Sequence, residues 1–266
     1  ACIEGLTPAY KPFMLSLQNR DDIAQAVDML RPLKINVIVP NSVVISNALL
    51  DAAPFSKRKD YLIDGKVDLD KIKKAYELGE WNLYGALYNT PDNVDVLWPM
   101  VRGALNSIEG SKLYTDDARK GDPIWTKREG LMRGIPPDGF DRLNQWQGKY
   151  RCDIGIACPL NGDDILQLNA IVADTLQKYE MEDLSECVVG WRSLIKRNYF
   201  LFDQESKDNA ENCINELISI AAAQGFGLTH SRTSHPEFTI QYARSPGLLI
   251  LQKRLKTALD PDAVIA

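Results

Sequence analysis

Along this chain of 266 residues, short segments with the two-residue period of a strand are interleaved with longer segments in the 3.6-residue period of a helix. That interleaving constrains the fold most, because each kind of segment has one apolar face and must bury it against the other kind. Phe13–Leu17 reads as a strand, and Asp21–Leu30 as a helix with Ile23, Val27 and Leu30 on one face. Ile35–Val39 reads as a second strand ended by Pro40-Asn41, Val43–Leu50 as a helix, and Leu69–Leu78 as a charged helix stopped by Gly79. Trp81–Tyr88 alternates like a half-buried strand. Thr90-Pro91 then opens a helix to about Ile108, and Lys112–Thr115 returns as a strand.

The polar, Gly- and Pro-rich stretch 116–149 reads as an irregular, functional loop region. Beyond it, Tyr150–Cys158, Glu186–Trp191, Asn198–Phe202 and Leu228–Arg232 read as strands. Asp163–Tyr179, Asp208–Gln224 and Pro246–Ala258 read as helices, and no sequence repeat is visible. The expected fold is α+β: a largely antiparallel sheet with helices packed on one face, built from ferredoxin-like β-α-β units. Residues 1–266 form one unit, with α/β halves 1–115 and 150–266.

Thirty-one Lys+Arg against thirty-six Asp+Glu gives a net charge of -5, with no basic run to hold a nucleic acid or an anionic membrane. No apolar stretch is long enough to span a bilayer, and no basic n-region marks a signal peptide. Five cysteines without a CxxC pair suit a reducing, cytoplasmic setting, and Cys152 and Cys158 read as buried thiols. The two histidines, His230 and His235, stand with Glu237 at a spacing that fits no established metal-ligand pattern, so no metal is expected. His230 is a candidate general base. Trp81, Tyr84 and Tyr88 read as core. No GxGxxG, GxxxxGK[ST] or GxSxG motif is present.

Several ordered segments resemble the vanillyl-alcohol oxidase and 4-cresol dehydrogenase group of flavoenzymes. They include Tyr10-Lys11-Pro12-Phe13-Met14, Leu49-Leu50-Asp51-Ala52-Ala53 and Trp81-Asn82-Leu83-Tyr84-Gly85-Ala86-Leu87-Tyr88. Arg133-Gly134-Ile135-Pro136, Cys158-Pro159-Leu160-Asn161-Gly162-Asp163-Asp164 and Leu259-Asp260-Pro261 continue the series. The likeness covers the substrate or cap half of that family. It implies FAD as cofactor, held by an FAD-binding domain on another chain, removed or absent, and a phenolic small-molecule substrate. A homo-oligomer is also expected.

The resemblance places the family's flavin-linking position at Arg151 or, with a one-residue slip, at Tyr150. It places the phenolate-binding arginine at Arg232, or at His230 if no gap is allowed, and two cavity positions at Glu186 and Arg197. Arg151 and Asp153, two apart on a strand, share a face, where they serve either as a charged pair at the site or as a solvated surface pair. The leading expectation is a cap domain that holds a para-substituted phenol while hydride passes to the flavin, with Asp153 or Glu186 accepting a proton. Two rivals stand beside it: a flavin-free descendant doing acid–base chemistry on a polar aromatic, and a non-catalytic binding subunit.

Overall fold

The computed structural model describes residues 8–40, 43–115, 118–135, 140–229 and 246–261. Its elements run β1 (Ala9–Leu17), α1 (Asp22–Ile35), β2 (Val43–Asn47), α2 (Ala48–Ala52), a small hairpin β3–β4 (Leu62–Ile63 and Lys66–Val67) and α3 (Leu69–Tyr76). Then come β5 (Trp81–Asn89), α4 (Pro91–Leu105), β6 (Lys112–Thr115), α5 (Pro123–Met132), β7 (Tyr150–Pro159) and α6 (Gly162–Lys178). The chain continues with β8 (Leu184–Val189), β9 (Ser193–Phe202), α7 (Lys207–Ala223), β10 (Gly227–Leu228) and α8 (Pro246–Leu259).

Among the described residues, eight strands form one antiparallel sheet in the order β10-β7-β9-β8-β2-β5-β1-β6. The α+β expectation holds. The order also reveals a duplication that no sequence repeat announces. β1-α1-β2 followed by β5-α4-β6 has the ferredoxin-like strand order, and β7-α6-β8 followed by β9-α7-β10 has the same order. The halves meet where β2 pairs with β8, Val43 opposite Val189 and Ser46 opposite Glu186.

Alternation along each strand sorts side chains onto two cores. Phe13, Leu15, Ile45, Leu83, Ile154 and Phe200 face the long helices, where Ile23, Leu30, Leu168 and Leu217 complete the larger core. Each such fully buried side chain stabilises the fold by about 1.5–3 kcal/mol. Met14, Tyr84, Leu184, Tyr199 and Leu201 face the opposite way, against Leu49, Ile72, Trp125, Leu143 and Trp146. The shorter helices thus cover the second face, beyond the single covered face expected.

Three local expectations are corrected. Ile35–Val39 is not a strand: α1 runs through Pro32 to Ile35, and Val37 takes a left-handed conformation (φ 56). The amides of Val37 and Ile38 then bond back to Lys34 and Leu33, closing the helix end. Val43–Leu50 is not one helix. Its β-branched Val43-Val44-Ile45 run fits the centre of a sheet, and Asn47 ends the strand by capping α2, accepting from the Leu50 amide at 2.9 Å. Within 116–149, Asp122 caps α5, accepting from the Ile124 amide at 2.8 Å, with Pro123 at the first helical position.

Candidate functional site

The second sheet face, at the meeting of the two halves, holds a cavity of about 300 Å³. Its floor comes from both halves: Val44, Tyr84 and Tyr88 from β2 and β5, Glu186, Val188, Arg197 and Tyr199 from β8 and β9. Its roof is Leu50 of α2, Lys127, Arg128, Leu131 and Met132 of α5, and Leu143. Two anchors fix α5 there. Buried Arg119 donates to the main-chain carbonyls of Tyr76 and Glu77 at the end of α3 and pairs with Asp122, the α5 cap. The Tyr88 hydroxyl donates to the Met132 carbonyl at the other end.

Arg128 ties the roof to the floor. Its guanidinium donates to Asp51 Oδ1 (2.6 Å from Nη2, 3.1 Å from Nε) and to Glu186 Oε2 (3.1 Å). The remaining carboxylate oxygens are also occupied: the Tyr84 hydroxyl donates to Asp51 Oδ2 at 2.8 Å, and the Tyr199 hydroxyl to Glu186 Oε1 at 2.9 Å. The result is an alternating series, Tyr84–Asp51–Arg128–Glu186–Tyr199, that crosses from one half of the sheet to the other. Burial is tolerable because every charge in it has a hydrogen-bonded partner. Burial and the adjacent Asp51 carboxylate hold the Tyr84 phenol well above its ordinary range, and burial with Glu186 does the same for Tyr199. Both therefore stay protonated as donors. Burial raises the Tyr88 phenol to about 12.

Lys127 adds a second cation from α5. Burial, then the neighbouring Arg128, lowers its pKa from 10.5 to about 8. A depressed lysine pKa costs stability wherever the amine must be charged in the fold, below about pH 8, and that cost is relieved as pH rises to 10.5. Lys127→Met is therefore expected to unfold at a higher denaturant midpoint than the parent at pH 7, with the difference shrinking between pH 8 and 10.5. A constant difference across that window would remove Lys127 as its source.

Glu186 and Arg197, expected as cavity positions, lie directly opposite each other in the β8–β9 ladder and line the same cavity. Asp153 sits opposite Tyr199, on the same sheet face one strand further out. Tyr150 and Arg151 are elsewhere: they line a groove at the start of β7 with Lys149, Phe202 and Lys207, and Tyr150 stacks on Phe202 (centroids 6.0 Å apart). His230, Arg232, His235 and Glu237 lie outside the described residues. Trp81 and Tyr84 are core as expected, but Tyr84 and Tyr88 also line the cavity. Cys152, Cys158, Cys187 and Cys213 are buried thiols outside any disulfide, and burial lifts the Cys158 thiol to about 12. No group that could hold a metal exists among the described residues, and no described helix is long and apolar enough to cross a membrane.

Sequence reasoning missed Asp51, Lys127 and Arg128. Asp51 carried a signal, a lone acid in the apolar run Ala48–Ala53; Arg128 carried a weaker one, four residues after Ile124 and three after Trp125 on one helix face.

No family model matches the chain. It is 27% identical over 97% of its length to the 4-cresol dehydrogenase (hydroxylating) flavoprotein subunit of Pseudomonas putida. A crystal structure of p-cresol methylhydroxylase with substrate bound superposes over 96% of this chain with a TM-score of 0.90, at the same 27% identity. The resemblance to the 4-cresol dehydrogenase group therefore holds along the chain. The fold is also that of part of a 4-ethylphenol oxidase from Gulosibacter chungangensis, with a TM-score of 0.89 and 20% identity over 98% of this chain. The chain spans about half the length of the relatives it matches: 51% of the 4-cresol dehydrogenase subunit, 51% of the p-cresol methylhydroxylase chain and 53% of the 4-ethylphenol oxidase chain.

Proposed function

We propose that this chain is the substrate-covering half of a flavin-dependent oxidoreductase that oxidises para-substituted phenols. The observation that carries the reading is the match of 97% of this chain to about half of a 4-cresol dehydrogenase flavoprotein subunit, together with a partly open cavity lined by Tyr84, Tyr88 and Tyr199 on the sheet face. The cavity residues suit an aromatic ring bearing an anionic oxygen. Val44, Leu50 and Val188 supply apolar walls, and Arg197 Nε is a buried donor with no acceptor among the described residues.

The flavin would need its own binding groups. No phosphate-cradling motif occurs in the sequence, so the dinucleotide part would be held by residues outside this chain. A bound flavin would supply the hydride acceptor. The chain's own residues would line the ring and limit water around it, with Glu186, which accepts from Tyr199 and Arg128, as the cavity's carboxylate. Arg232, Tyr150 and Asp153 remain proposed contacts for the phenolate, the flavin and a proton respectively.

One observation favours the flavin-free alternative. The cavity holds more formal charge than a neutral alkylphenol needs: Glu186, Arg128, Lys127 and Arg197 line it together. The experiment that separates the readings uses the protein expressed from its natural gene. A flavin absorbance band that bleaches when 4-ethylphenol is added without oxygen is the expected result. A colourless protein that turns over no phenol would move the assignment to acid–base chemistry.

A further inference from the structure

The cavity's charges are not all satisfied from within. Arg128 is shared by Asp51 and Glu186, and both oxygens of Glu186 are taken, Oε2 by Arg128 and Oε1 by Tyr199. Arg197 faces Glu186 across the β8–β9 ladder, yet makes no ion pair with any described carboxylate, and its Nε is buried without an acceptor. A guanidinium is always charged, and its planar fork of donors matches a carboxylate in two places at once. The guanidinium also bonds the Tyr199 hydroxyl, but leaving its buried Nε–H unanswered beside a partly apolar cavity is costly, so that acceptor is expected to arrive with the ligand.

We propose that the cavity binds an aromatic acid, a ring carrying a carboxylate on its side chain, with that carboxylate received by Arg197. The inference names a substrate class for the site of the proposed function and rests on that reading only for the phenol. The ring lies against Val44, Leu50 and Val188, while the Tyr84 and Tyr199 hydroxyls donate to Asp51 and Glu186, and Arg197 Nε is the cavity's buried donor without an acceptor among the described residues. Arg197 then sets specificity, favouring 4-hydroxyphenyl-carboxylates over plain alkylphenols.

The test is a calorimetric titration of the protein expressed from its natural gene with 4-hydroxyphenylacetate, its neutral isostere 4-hydroxyphenylacetamide, and phenylacetate. The acid is expected to bind on the order of 10- to 100-fold tighter than the amide, the range of a charge-assisted, two-point hydrogen bond. Arg197→Met should bring the acid down to the amide's affinity and leave the amide within about twofold, while Arg197→Lys keeps part of the preference. Equal binding of acid and amide by the parent protein overturns the proposal, and this comparison needs no variant to fold. So does an equal loss of both ligands in Arg197→Met, which would put Arg197 at the hydroxyl they share. Binding of phenylacetate without any phenol oxidation would sustain the carboxylate site while removing the oxidoreductase reading.

Discussion

Arg128→Met is expected to lose about 3–5 kcal/mol of stability, read as a lower urea midpoint with an unchanged slope. The reason is what the substitution leaves behind. Arg128, Asp51 and Glu186 have side-chain exposures of only 8%, 1% and 9%, so removing the guanidinium strands two carboxylates a short distance apart with little water. Their remaining donors, the Tyr84 and Tyr199 hydroxyls, are neutral and answer only one oxygen each. The triple change Arg128→Met, Asp51→Leu and Glu186→Leu is expected to recover part of the loss, because an apolar replacement removes the buried charges together. A loss below about 1 kcal/mol in Arg128→Met alone would mean that the carboxylates reach solvent or another cation, and the roof of the cavity would need a different anchor.

Gly79→Ala is the second large effect, and here two readings of one residue predict opposite signs. Read from the sequence, Gly79 is the stop of the charged helix. In the fold, Glu77 takes the left-handed position instead (φ 51), and Gly79 has no positive φ. If helix termination were its only task, alanine would be neutral or stabilise by about 0.4–1 kcal/mol through the unfolded chain. But a Cβ at Gly79 would lie 2.2 Å from the Leu17 carbonyl oxygen and 2.7 Å from Ser16 Oγ, so the entry of β5 could no longer lie against the end of β1. The expected cost is about 3 kcal/mol, since main chain rather than a flexible side chain must move. A rise in thermal midpoint would return Gly79 to the simpler role.

These two cases show what could be read without coordinates. β5, β7, α6 and α7 are found within about two residues of their expected bounds, because each has a long, unambiguous period. The exchange of strand and helix across 35–50 came from short apolar runs, Ile35–Val39 and Val43–Leu50, whose period does not distinguish a buried helix end from a central strand. Glu186 and Arg197 were legible as cavity residues through an ordered resemblance. Arg128 was not, since its partners stand 77 and 58 residues away and nothing local marks a guanidinium whose role is to join them.

The duplicated topology has a consequence for the order of folding. Within each half, the long strands are held by nine or ten paired residues, β1 with β5 and β7 with β9. The junction is narrower: β2 pairs with β8 through four residues, Val43 to Ser46 against Val189 to Glu186. Within a half the long strand pairs join residues 34 to 80 positions apart, whereas the union of the halves pairs residues 140 to 146 apart and docks α5 across them. The pocket does not exist in either half alone. It is completed only when the two halves come together through the β2–β8 pairing, the packing of α1 on α6 and the Arg128 bridge, so the assembly of the cavity is expected to be the last step of folding.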